Sequence, residues 1–163
     1  MEAALALVAR EVEAFVAREG WDQPARLFAI VHTAQIRSSD PRIELDHDSP
    51  YTSVEQELEQ PQADVEMLLA TLAWPPDVVG AALVIERIVL PEGAEGGLPT
   101  DSTIASVAAS HPLRSDVRMV SAVLRDGTTI NALRFKSFDD GSSVAVGSDL
   151  VPSLNAALLA TFD

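Results

Sequence analysis

The dipeptide Asp126-Gly127 stands between two β-rich runs, 116–125 and 128–138. Asp-Gly supplies the tight reversal that such runs need, so the pattern is a strong local signal for a β-hairpin. A hairpin commits its two strands to antiparallel pairing. Residues 78–90 form the strongest single strand, and both of its faces are apolar at first, which fits a central position. The run 26–33 (Arg-Leu-Phe-Ala-Ile-Val-His-Thr) is short, apolar and β-rich, and 52–57 alternates enough for another short strand. Residues 141–147 form a loop or a last weak strand.

Helical spacing marks the rest. Leu5, Val8, Val12, Phe15 and Val16 fall on one stripe of a helix over 2–18, and Gly20 is placed to cap its end. A helical turn over 34–39 stops at Asp40-Pro41. Residues 40–50 read as a polar loop. Val65, Leu68, Leu69 and Leu72 predict a helix over 62–73, which Trp74-Pro75-Pro76 ends. The glycines and prolines of 91–99 make a surface loop, and Thr100 or Asp101 caps a helix reaching Ser110. Asp149 opens a final helix with Val151, Leu154, Leu158 and Phe162 on one face. These elements predict one α+β domain over 1–163, a two-layer fold. Its antiparallel sheet has about five strands, with helices packed on one face. The other face is left partly wet or covered by a second copy of the chain, as in a homodimer.

Composition removes several chemistries. The chain has no cysteine, so disulfides, zinc–thiolate sites, iron–sulfur clusters and cysteine nucleophiles are out. The formal net charge of −14 repels phosphate backbones and disfavours nucleic acid as a partner. Arg10, Glu11 and Glu13 interrupt the apolar start, so no signal peptide or membrane span is expected, and the protein reads as soluble and cytoplasmic. The charge is uneven. Nine acids lie in 40–66 against Arg42 alone, whereas five bases lie in 110–136 against two acids. The acidic region suits a basic partner and the basic one a small anion, unless the two regions face each other or simply solvate the surface.

The segments Gly20-Trp21-Asp22-Gln23-Pro24, Arg26-Leu27-Phe28, Ala73-Trp74-Pro75, Val84-Ile85-Glu86-Arg87, His111-Pro112, Val123-Leu124-Arg125-Asp126-Gly127 and Asp149-Leu150-Val151-Pro152 run along nearly the whole chain. In them the chain resembles an uncharacterised actinobacterial family catalogued after a propionibacterial locus tag. His32 departs from that pattern, where proline is expected. The resemblance implies no particular activity. The order α-β-β-β-α-β-β-α, with one inserted helix at 62–73, also resembles the secretion-chaperone-like fold. That resemblance implies a small, acidic, often dimeric protein that binds other polypeptides, by analogy of architecture alone.

Candidate sites follow from residue type. Arg87, Arg114, Arg118, Arg125 and Arg134 are the best functional candidates, and Arg87, Arg118 and Arg134 form the candidate anion site, because paired guanidiniums can fork onto a carboxylate or phosphate. Arg118 and Arg134 are directly opposite if the Asp-Gly loop holds three residues and on opposite faces if it holds two. The plainer alternative is ion pairing with Glu86, Asp116 or the acidic half. Trp21, Asp46 and Asp48 are candidate partner-binding residues. Trp21 suits an aromatic anchor, or more plainly a plug over the first helix with Asp22 tying down turn amides. Glu44-Leu45-Asp46-His47-Asp48 gathers possible metal ligands without EF-hand spacing, so a solvated acidic loop is the simpler reading. His32, His47 and His111 lie in no zinc-hydrolase motif. No nucleophile elbow, phosphate loop or dinucleotide fingerprint is present. The expectation is therefore a non-catalytic, protein-binding adaptor or chaperone-like domain without a cofactor. A small-anion sensor or enzyme is the alternative.

Overall fold

A computed structural model of the protein describes residues 2–39, 50–58, 65–70, 72–89, 115–136 and 144–162. The expected acidic loop with Asp46, His47 and Asp48 lies outside the described residues, as do Arg114, His111 and the expected helix before it. The order is α1 (Glu2–Ala17), β1 (Arg26–His32), α2 (Thr33–Ser39), β2 (Tyr51–Gln56), α3 (Val65–Ala70), β3 (Val78–Val89), β4 (Ser115–Leu124), β5 (Thr129–Phe135), β6 (Ala145–Gly147) and α4 (Pro152–Ala160). Among the described residues six strands join one antiparallel sheet in the order β2-β1-β3-β4-β5-β6. The sixth is β6, the weak run, which β5 recruits at Asn131↔Gly147, Ala132↔Val146 and Leu133↔Ala145.

The Asp-Gly hairpin closes with three loop residues, Arg125-Asp126-Gly127. Leu124 N donates to Thr128 O (2.9 Å), and Gly127 takes a φ of 98° at the position that requires it. The register that follows puts Arg118 directly across from Arg134. On the other side of β3, the ladder with β1 shifts between Ile30 and Val31. Gly80 sits at this irregularity, and a Cβ there would run into the carbonyl oxygen of Val123, so close strand approach selects glycine.

Helices cover both faces of the sheet, which corrects the expected one-sided, two-layer packing. Leu5, Val8, Ala9, Val12 and Val16 of α1 meet Phe28, Ile30, Ala82, Val84, Val120 and Ala132 on one face. Leu69 of α3 and Leu158 of α4 meet Leu27, Ala81, Leu83, Ile85 and Val123 on the other. The physical reason lies in β3 and β4: successive side chains point to opposite faces, and both rows are apolar, so each row needs a cover. Trp74 belongs to the second layer. It stacks on Phe162 with ring centroids 5.6 Å apart, and its Nε1 donates to Thr161 Oγ1 at 2.8 Å.

A buried amide pair docks α4. Asn155 Oδ1 accepts from Ser121 Oγ and from Asn131 Nδ2, both at 2.6 Å, while Asn155 Nδ2 donates to Asn131 Oδ1 at 3.0 Å. Asn131 Oδ1 also accepts the backbone N–H groups of Leu150 and Val151. The helix begins at Pro152 after Val151, whose own side chain supplies no cap. Asn131 thus does from the sheet what Asp149 was expected to do locally. Asn131→Ala strips these buried partners together and is expected to lower stability by about 2–4 kcal/mol, since each buried group left unsatisfied costs roughly 1–3 kcal/mol. Urea unfolding checks this, and an unchanged midpoint would contradict it.

Candidate functional site

Arg118 and Arg134 share the face covered by α1, and Glu86 on β3 stands directly opposite Arg118 on β4. Glu13 of α1 descends onto this row from inside the helix's apolar stripe. Arg134 grips its carboxylate through Nε (2.9 and 3.0 Å) and Nη2 (2.6 Å), and Arg118 Nη1 adds a bond at 3.2 Å. Arg118 Nη2 also lies 3.6 Å from Glu86 Oε2. Glu13 and Arg118 are 1% and 0% exposed, so both charges stand out of water and need each other. Two carboxylates balance two guanidiniums, and the cluster carries no net charge.

The same cluster shapes the turn after α1. Arg118 Nη2 donates to Gly20 O, and the Trp21 ring lies over the Arg118 guanidinium at 4.3 Å. Glu86 accepts the N–H of Asp22 at 2.8 Å and that of Gln23 at 3.3 Å. Glu86, and not the expected Asp22, therefore ties down the turn amides. These contacts hold Gly20 (φ 83°) and Asp22 (φ 66°) in the left-handed region. Gln23 Nε2 donates to Val16 O and Gly20 O, closing the last turn of α1.

The three arginines of the expected anion site do not converge. Arg87 continues the Leu83–Ile85 row on the opposite face and is exposed. Arg118 and Arg134 meet, but their forks are occupied by Glu13, with Glu86 beside Arg118. Arg125 is engaged elsewhere: Nε donates to Val78 O (2.6 Å), Nη2 to Pro75 O (3.0 Å), and its guanidinium lies over Phe162. His32 stacks on Tyr51 with centroids 5.5 Å apart. Among the described residues no group of three acidic or imidazole side chains is arranged to hold a metal.

The Trp21 turn forms one wall of an open groove of about 720 Å³, whose other wall is the end of β2 with Glu55 and Glu57. Arg26 sits in this groove between carboxylates. Its Nε and Nη2 fork onto Glu55 at 2.7 and 2.8 Å, and Nη1 reaches Glu19 at 2.7 Å. The hydrogen bond from Arg26 holds the Glu55 carboxyl below its ordinary value, and that same bond raises Arg26. With Asp22 and Glu57 added, four carboxylates and one already paired arginine line the groove, so it is acidic.

Two outcomes test this arrangement. Glu13→Ala leaves two buried guanidiniums short of their partner and is expected to cost about 3–5 kcal/mol, whereas Arg87→Ala stays within about 0.5 kcal/mol. Urea unfolding of both variants checks the contrast, and equal effects would contradict it. Glu55 has a depressed folded-state value, so its contribution to stability is complete above the ordinary 4.5 and disappears as pH falls through the folded value. The stability gap between wild type and Glu55→Gln is therefore expected to close in acid. A gap that stays constant from neutral pH to about pH 3 would contradict that sign.

No helix among the described residues is long and apolar enough to cross a membrane. No curated protein and no solved structure matches the chain. The family model for PPA1309-like protein matches residues 5–163, and that family is one of unknown function. By a match that omits only its first few residues, the chain belongs to the PPA1309-like protein family.

Proposed function

We propose that this protein is a non-catalytic, protein-binding domain that takes a basic polypeptide segment in the groove beside Trp21. The acidic lining of that groove carries the proposal. Glu19, Asp22, Glu55 and Glu57 line the groove together with Arg26, whose donors are already directed at Glu19, Glu55 and Gln23. A cationic side chain entering the groove meets surplus negative charge, and the whole chain at −14 steers it there. Trp21 offers part of an aromatic surface, held in place by Arg118 beneath it. The small-anion alternative draws no support from this geometry, because an incoming anion would have to displace the Glu13 carboxylate from both arginines.

The test is fluorescence anisotropy with labelled oligolysine at low and moderate salt. Glu57→Lys in the groove is compared with Asp149→Lys beyond β6, at the opposite edge of the sheet. Both variants change the net charge equally. Glu57→Lys is expected to weaken binding by about tenfold, the equivalent of roughly 1.4 kcal/mol, and Asp149→Lys by much less. Equal weakening would show general attraction to an acidic protein and would contradict a defined groove, as would no binding at low salt.

A further inference from the structure

Among the described residues strand β2 ends the sheet and is paired along one edge only, with β1. Its two faces differ in chemistry. Register with β1 puts Ser53 and Glu55 on the α1 face, with Glu57 two residues on, while Thr52, Val54 and Gln56 point to the other face. On that other face an apolar groove of about 330 Å³ runs past Val31, Val54, Leu58 and Trp74. The acidic and apolar grooves share Gln56, Glu57 and Leu58, so they meet along the end of β2. Val54 is 42% exposed on this edge.

We infer that β2 accepts an extended peptide as an additional strand, and that the two grooves read its alternate side chains. A strand laid against β2 sends successive side chains to opposite faces. One set then lies beside Glu55 and Glu57 and is cationic; the other lies beside Val54 and Leu58 and is aliphatic. The partner is thus an extended segment alternating basic and apolar residues. Arg26 does not cancel the acidic row, because it is shared between Glu19 and Glu55. Charge also separates this occupant from a second copy of the chain, which would bring another −14 to the edge. The inference rests on the acidic-groove reading and adds to it main-chain pairing and a sequence pattern.

The probes are labelled peptides of alternating lysine and valine, a block-ordered peptide of the same composition, and two alternating peptides N-methylated at every second residue, in opposite phase. In an added strand only every second N–H faces β2, so methylation in one phase blocks the ladder and in the other leaves it intact. The alternating peptide is expected to bind about tenfold more tightly than the block peptide, with one methylation phase losing about tenfold or more and the other retaining affinity. Val54→Lys, at an exposed position, is expected to erase the preference for alternation while circular dichroism stays unchanged. If alternating and block peptides bind equally, methylation has no phase dependence and Glu57→Lys still weakens both, strand addition is overturned and the acidic groove stands. If no basic peptide binds, both readings fall. A protein that sediments as a dimer and excludes the peptides would place a second copy on the edge and overturn the inference.

Discussion

Glu13 is the one charged side chain in the apolar stripe of α1, and the architecture on that face depends on what it meets. A carboxylate this deeply buried is tolerable only with cations and donors close by. The three-residue hairpin loop supplies them by setting Arg118 opposite Arg134. The pairing therefore couples three choices made far apart in the chain: the rotation of α1, the β4–β5 register and the presence of Glu86 on β3. A slip of one residue in the hairpin would send one arginine to the other face and leave Glu13 half paired.

The same cluster extends outward to the surface. Arg118 holds Gly20 O and supports the Trp21 ring, and Glu86 holds the next two amides. The groove wall is thus built from the interior, through charges that do not themselves face the groove. On the opposite side of the sheet, the Asn131–Asn155 pair plays the corresponding part for α4 with neutral amides. The central strands β3 and β4 are covered on both faces. Among the described residues the edge strand β2 pairs only with β1, with Glu55 on one face and Val54 on the other.

Much of this was legible in the sequence because it is local. The 3.6-residue stripe gives α1, the alternating or apolar runs give β1 to β5, and Asp126-Gly127 gives the hairpin. The arginine pair was half legible: the two registers were distinguishable in principle, but only the hydrogen bonds around Gly127 select the three-residue loop. Glu13 was missed as a partner, although its position between Ala9 and Val16 on an otherwise apolar face was the available signal. The one-sided sheet was expected despite apolar residues on both faces of β3, a pattern that itself asks for two covers. The cap on α4 could not be read locally, since Asn131 is distant in sequence and acts through the sheet. Strand β6 has only three residues and takes its identity from β5.

The most direct measurement is a double-mutant cycle between Glu13 and Arg134, with Glu13→Gln, Arg134→Met and the double variant compared by urea unfolding. If the arginine pair is the internal counterpart of Glu13, the two changes are strongly non-additive, with a coupling of about 1–3 kcal/mol. Additivity within roughly 0.5 kcal/mol would contradict the account. It would mean that the two side chains do not stabilise each other and that the arginines answer to something other than α1.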